Sequence, residues 1–238
     1  MELIKSKIMK KIILLFTISI LSFTQLNAQD KSYWACMNVT VDNMGQSQFV
    51  EALDNFMNSE VGKQMPFTVA LFEIAFTNGD LSSTHQLCFV GPNASSFASW
   101  GSGPPPSIEG MALFIAINEY VEFDQVILGS PLIFDPSNLD NGFSVVWAMS
   151  VSDPAKYANA FVEFNNSTTG TFELHEAIIG AQKGVTHYFV ARQTNLGTWL
   201  QGREEVFESG AVAKFQAASA GNADILFNTG YNLVKQYN

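Results

Sequence analysis

Three histidines, His85, His175 and His187, are the chain's only side chains that ordinarily change charge near neutral pH. His85 and His187 fall in two related stretches, THQLCFVGPNASSF and THYFVARQTNLGTW, at a spacing of 102 residues. Matching placement supports a shared structural task, a hydrogen bond beside a hairpin. The alternative is a pair of bases or ligands facing a common interior. His175 stands where the first stretch has Phe72, so only the second carries it. A histidine on one side alone is what divergence toward function leaves, which makes His175 the first candidate for a general base, with His187 second. Adjacent strand residues point to opposite faces, so His175 and Glu176 cannot line one cavity without a bulge. Glu73 and Glu176 also correspond; each is a candidate acid if buried, or a charge on an exposed face. Glu163, Glu173, Glu204 and Glu205 read as solvated helix or loop charges.

The sequence has no HExxH, CxxC or DxDxDG pattern, so no metal site is expected. GxSxG, Walker and GxGxxG motifs are absent too, and no cofactor is expected. Cys36 and Cys88 sit near the middles of two expected strands. They suit either a cross-strand disulfide or two small core residues.

Residues 1–28 have the order of a secretory signal. Lys5, Lys7, Lys10 and Lys11 precede the apolar run Ile12–Phe23, and TQLNA ends on Ala28. The run is too short to span a bilayer, and no later run reaches the length needed, so stable membrane insertion is not expected. Export to the periplasm or the extracellular space follows. Removing this leader takes four of the 12 basic and one of the 22 acidic residues, leaving a net charge of −13. Such an acidic chain, without a Lys/Arg cluster, is a poor partner for nucleic acid. Oligomeric state is not indicated.

The repeated stretches belong to a longer pattern. LFEIAF (Leu71–Phe76) answers LHEAII (Leu174–Ile179), FVEALDNFMNS answers YANAFVEFNNS, and ACMNVTVDN answers WAMSVSDPA with Met37 opposite Met149. Spacing changes only at turns, as it does between duplicated halves. Each half reads as βαββαβ. In the first, strands cover Tyr33–Val41, FTVALFEIAF, STHQLCFV and Val121–Leu128. Helices cover Gln48–Asn58, with Ser47 as N-cap, and Ile108–Tyr120. The second runs through Phe143–Ser152, Tyr157–Asn166 capped by Asp153-Pro154, Thr171–Ile179, Thr186–Arg192, Leu196–Ser219 broken at Ser209-Gly210, and Ala223–Asn228. The resulting division is 29–135 and 143–238, joined by 136–142. GSGPPPS (Gly101–Ser107) is a stiff segment suited to rim a cavity or to lie as a plain surface loop.

A βαββαβ unit leaves one sheet face without helices, and these strands are apolar on both faces. Two units packed sheet to sheet, helices outside, would cover both. The pattern resembles the dimeric α/β-barrel (ferredoxin-like) superfamily, with both halves fused in one chain. The resemblance implies an α+β fold and a family of cofactor-independent monooxygenases, isomerases, cyclases and haem proteins. Three functions are open. One is an exported protein binding a small apolar or aromatic molecule between the sheets, lined by Trp34, Asn38, Phe72, His85, His175 and His187. The second is a cofactor-independent monooxygenase, isomerase or lyase with a histidine base. The third is a secreted structural or interaction protein with a filled core.

Overall fold

The structure, a computed structural model, describes residues 31–78, 81–98 and 107–238. The leader and the proline segment 101–106 lie outside the described residues. The fold is α+β. Its strands are β1 (Tyr33–Val41), β2 (Thr68–Thr77), β3 (His85–Gly91), β4 (Val121–Ile133), β5 (Phe143–Val151), β6 (Thr171–Ile179), β7 (His187–Gln193) and β8 (Ala223–Tyr237). All pair antiparallel and close into a barrel in the order β1-β3-β2-β8-β5-β7-β6-β4. The first four therefore lie as β4-β1-β3-β2 and the last four as β8-β5-β7-β6, the same order in each half.

Closure depends on β4 and β8, which outrun their expected ends at Leu128 and Asn228. β4 pairs with β1 through Gly129 and continues along β6 as far as Ile133. β8 pairs with β5 through Asn232 and with β2 through Tyr237. Each long strand thereby serves two neighbours and leaves the barrel without a free edge. Pro131, which has no N–H to give, sits where the β4–β6 register shifts.

The α-helices are α1 (Gln46–Met57), α2 (Glu60–Lys63), α3 (Ile108–Ile117), α4 (Pro154–Asn166), α5 (Leu196–Glu208) and α6 (Ala211–Ala218), with short 3-10 turns at Ala94–Phe97 and Pro136–Asn138. Phe49, Leu53 and Met57 of α1 pack with Val39, Leu71 and Leu87, while Tyr157 and Phe161 of α4 pack with Met149 and Leu174. Asp153 caps α4 by accepting from the Lys156 N–H at 3.0 Å, with Pro154 in the first turn. Ser47 does not cap α1, because that helix already begins at Gln46 after Gly45. Gly210, at φ 74°, separates α5 from α6. Among the described residues no helix is long and apolar enough to cross a membrane.

The first-strand correspondence also needs correction. Thr84 donates its N–H to the Val39 carbonyl and Thr186 donates its own to the Met149 carbonyl, so Met149 holds the place of Val39. The Val41 and Val151 N–H groups then bond the Thr84 and Thr186 hydroxyls, each at 2.9 Å. Cys36 thus corresponds to Val146 rather than Ala148. An offset of two keeps every side chain on its face, so alternation alone does not detect it.

Candidate functional site

Inward residues of all eight strands surround a cavity of about 120 Å³. Leu81 from the β2–β3 connection, Phe134 and Leu139 from the β4–β5 connection, and Gln182 from the β6–β7 connection also line it. Its walls are mostly apolar, with two polar clusters.

The larger cluster belongs to β6 and β7. Glu173, His175 and Arg192 are all buried, Glu173 to 0% exposure. Residues two apart on a strand share a face, so Glu173 and His175 both point inward, and Arg192 follows from the neighbouring strand. The Arg192 Nε–H donates to Glu173 Oε1 at 2.9 Å, and Glu173 Oε2 lies 3.0 Å from His175 Nε2. Across the barrel, the Trp34 Nε1–H donates to His175 Nδ1 at 3.1 Å. An indole can only donate, so Nδ1 accepts and the ring proton sits on Nε2, facing the carboxylate. His175 is a neutral imidazole engaged at both nitrogens. Burial opposes the charge of Glu173, but the Arg192 guanidinium and the His175 bond outweigh it and hold the carboxyl below its ordinary range.

Trp34 reaches this position because its β4 neighbour is Gly129, where a Cβ would overlap the indole ring. In the other half, Ser144 stands opposite Tyr231. The large side chain is supplied by the first strand in one half and by the last strand in the other. Trp34 also meets Tyr188 edge to face at 5.8 Å.

The second cluster is uncharged. Gln86 Nε2 donates to Asn38 Oδ1 at 2.8 Å and approaches the Tyr231 hydroxyl at 3.5 Å. Burial pushes Tyr231 up to about 12. Thr229, 2% exposed, lies close enough to ease that ionisation, yet its hydroxyl makes no hydrogen bond within 3.5 Å.

Of the residues singled out in the sequence, Trp34, Asn38, Phe72 and His175 line this cavity. His85 and His187 do not, because each is an odd number of residues from the inward positions of its strand. His85 packs against Phe49 of α1, and its Nδ1 meets the Thr84 hydroxyl at 2.9 Å. His187 meets the Thr186 hydroxyl at the same distance. Burial lowers both imidazoles from their ordinary value. Glu73, opposite His85, is exposed. Cys36 and Cys88 face each other across β1 and β3 as a disulfide on the cavity wall. Glu173, read from the sequence as a solvated charge, is instead the most enclosed polar group of the site. Its position two residues before His175 was the signal for it. Among the described residues, no three His, Cys, Asp or Glu side chains converge to hold a metal.

A second space of about 760 Å³ lies on the outer face of β5 and β7, under α5 and α6. Trp147, Phe189, Trp199 and Phe215 line it. Tyr157 and Met149 also line it, and the tyrosine hydroxyl donates to the Met149 sulfur at 3.2 Å.

No family model matches the chain, and no curated protein matches it significantly. Solved structures do share its fold. A candidate monooxygenase from Lactobacillus acidophilus aligns over 87% of this chain and 96% of its own, with a TM-score of 0.61 and 10% identity. A second candidate monooxygenase, from Fusobacterium nucleatum, covers 87% and 94% at a TM-score of 0.57 and 11% identity. An anthrone oxidase-like protein covers 88% and 93% at 0.52 and 10%. At these identities the likeness is one of fold, that of ferredoxin-like α/β barrels.

Proposed function

We propose that the chain is an exported protein that captures a small apolar or aromatic molecule inside its barrel. The carrying observation is a mostly apolar cavity inside the barrel in which, among the described residues, each charged side chain is already neutralised by a protein partner. At about 120 Å³ the cavity is comparable to the roughly 150 Å³ apolar cavity known to take up benzene, the scale of one ring. Export rests on the leader-like order of residues 1–28 and accords with a disulfide. We also propose that Tyr33–Asp135 and Phe143–Asn238 descend from one duplicated unit. The shared strand order supports this, as do the matching Asn93 and Asn195 caps, which accept from the Ser96 and Thr198 N–H groups.

Titration with toluene, followed by Trp fluorescence and by calorimetry, tests the binding reading. Saturable one-to-one binding that is abolished in Val146→Phe, which fills the cavity, is expected. Equal binding by that variant would contradict it.

The pairing of Glu173 with His175 favours one further reading, a histidine base. A carboxylate on one ring nitrogen is how many bases are oriented. Here the nitrogen left for a substrate proton is held by Trp34, so base chemistry requires the indole to move first. A haem, which the superfamily resemblance includes, needs an axial imidazole, thiolate, thioether or phenolate. In the barrel the imidazole is engaged at both nitrogens, the cysteines are bonded to each other, burial favours the protonated phenols of Tyr188 and Tyr231, and about 120 Å³ is too small for a porphyrin. In the outer space Tyr157 and Met149 engage each other. These residues do not fit an axially ligated haem.

A further inference from the structure

Resting on the proposal that the barrel interior binds a small molecule, we infer that its ligand is an uncharged, single-ring phenol or aryl carbonyl, selected by the Thr229 hydroxyl. Three observations converge on this class. The first is size, since about 120 Å³ admits one ring and little more.

The second is charge. Among the described residues the one cation lining the cavity, Arg192, is balanced by Glu173, and His175 is neutral and fully engaged. A ligand carboxylate would add a second negative charge to a site with no further cation among the described residues to meet it. It would also approach a chain of net charge −10. A ligand ammonium would compete with Arg192 for a carboxylate already bonded on both oxygens. Neutral ligands avoid both conflicts.

The third is the handle. A buried hydroxyl is destabilising unless something bonds it, and Thr229 Oγ1 has no hydrogen bond within 3.5 Å. It projects into the cavity from the middle of β8, beside the Tyr231 hydroxyl, whose own contact with Gln86 is long at 3.5 Å. A threonine hydroxyl both donates and accepts, so it can hold a phenol O–H or an aryl C=O. Phe72 and Phe227 contribute apolar wall to the same cavity, suited to edge and face contacts with a ring. Thr229 corresponds to Ile127 in the other half, since Val146 pairs with Thr229 as Cys36 pairs with Ile127. The polar atom is therefore peculiar to β8.

The test compares toluene, phenol and benzoate by calorimetry on the full chain and on Thr229→Val, which keeps the shape and removes the hydroxyl. In the wild type, phenol should bind about tenfold tighter than toluene, and benzoate at least tenfold weaker than phenol. In the variant, phenol and toluene should bind alike, with the melting temperature unchanged or raised. Toluene matching phenol in the wild type, benzoate exceeding phenol, or an undiminished phenol preference in Thr229→Val would each overturn the inference. The wild-type comparison decides the ligand class even if the variant fails to fold. Failure of toluene and phenol alike to bind would instead overturn the binding proposal beneath it.

Discussion

The inward faces of β2–β3 and β6–β7 hold matching registers and opposite chemistry. Glu73 pairs with His85 as Glu176 pairs with His187, so Ala70, Phe72 and Val90 occupy the places of Glu173, His175 and Arg192. One half packs its interior with apolar side chains. The other buries a carboxylate, an imidazole and a guanidinium that satisfy one another. The lesson is that burying one of these three groups requires the others. A lone carboxylate there would be an unpaired buried charge, whereas the trio closes into a neutral network that also anchors Trp34.

The comparison breaks most visibly by removing one member. Glu173→Ala should destabilise the fold by about 3–5 kcal/mol in urea denaturation, because Arg192 is left buried and uncompensated. The combined variant Glu173→Ala, His175→Phe, Arg192→Val, which installs the other half's residues, should come within about 1 kcal/mol of wild type or exceed it. A single variant as mild as the triple would show that the network is not closed.

The disulfide gives the next effect. Val146 and Val190 stand opposite each other where the first half has Cys36 and Cys88. Cys36→Val with Cys88→Val should therefore keep the fold while costing about 2–4 kcal/mol of stability. Loss of the folded far-UV and near-UV circular dichroism spectra in this variant would show that the two positions are not interchangeable.

His175→Phe, the counterpart of Phe72, should cost less, about 1–3 kcal/mol, by leaving the Trp34 N–H and one Glu173 oxygen without partners. The Trp emission should shift as the indole loses its acceptor. An unmoved spectrum would place Trp34 away from His175.

The smallest effect is the pH dependence. Burial holds His85 and His187 below the ordinary 6.5, against the opposing charges of Glu73 and Glu176. The unfolded chain therefore takes up these protons first, and stability declines as the pH falls below about 6.5. Glu173, held below its ordinary 4.5, contributes stability above that value, which is lost on further acidification through its folded pKa. Melting temperature against pH should show a shallow upper decline, removed by His85→Gln with His187→Gln, and a lower one that remains. An upper decline that survives both substitutions would contradict this assignment.

Much of the strand order was legible, because alternation, turn residues and the paired stretches all bear on local structure. What depended on partners across the barrel was not. β4 and β8 are longer than their local pattern because their far ends pair with the other half. The face of His85 and His187 depends on register, which alternation leaves ambiguous on strands apolar on both sides. Glu173 looked like a surface charge because its partner, Arg192, is 19 residues away and meets it only when β6 and β7 pair. Trp34 and His175 lie 141 residues apart, and no local signal joins them.

The network itself is tested most directly by nitrogen-15 NMR of the His175 ring at pH 7. The account predicts a neutral imidazole with its proton on Nε2 and an Nδ1 that accepts from the Trp34 indole, seen as a coupling across that hydrogen bond. An imidazolium, or a neutral ring carrying its proton on Nδ1, would contradict it.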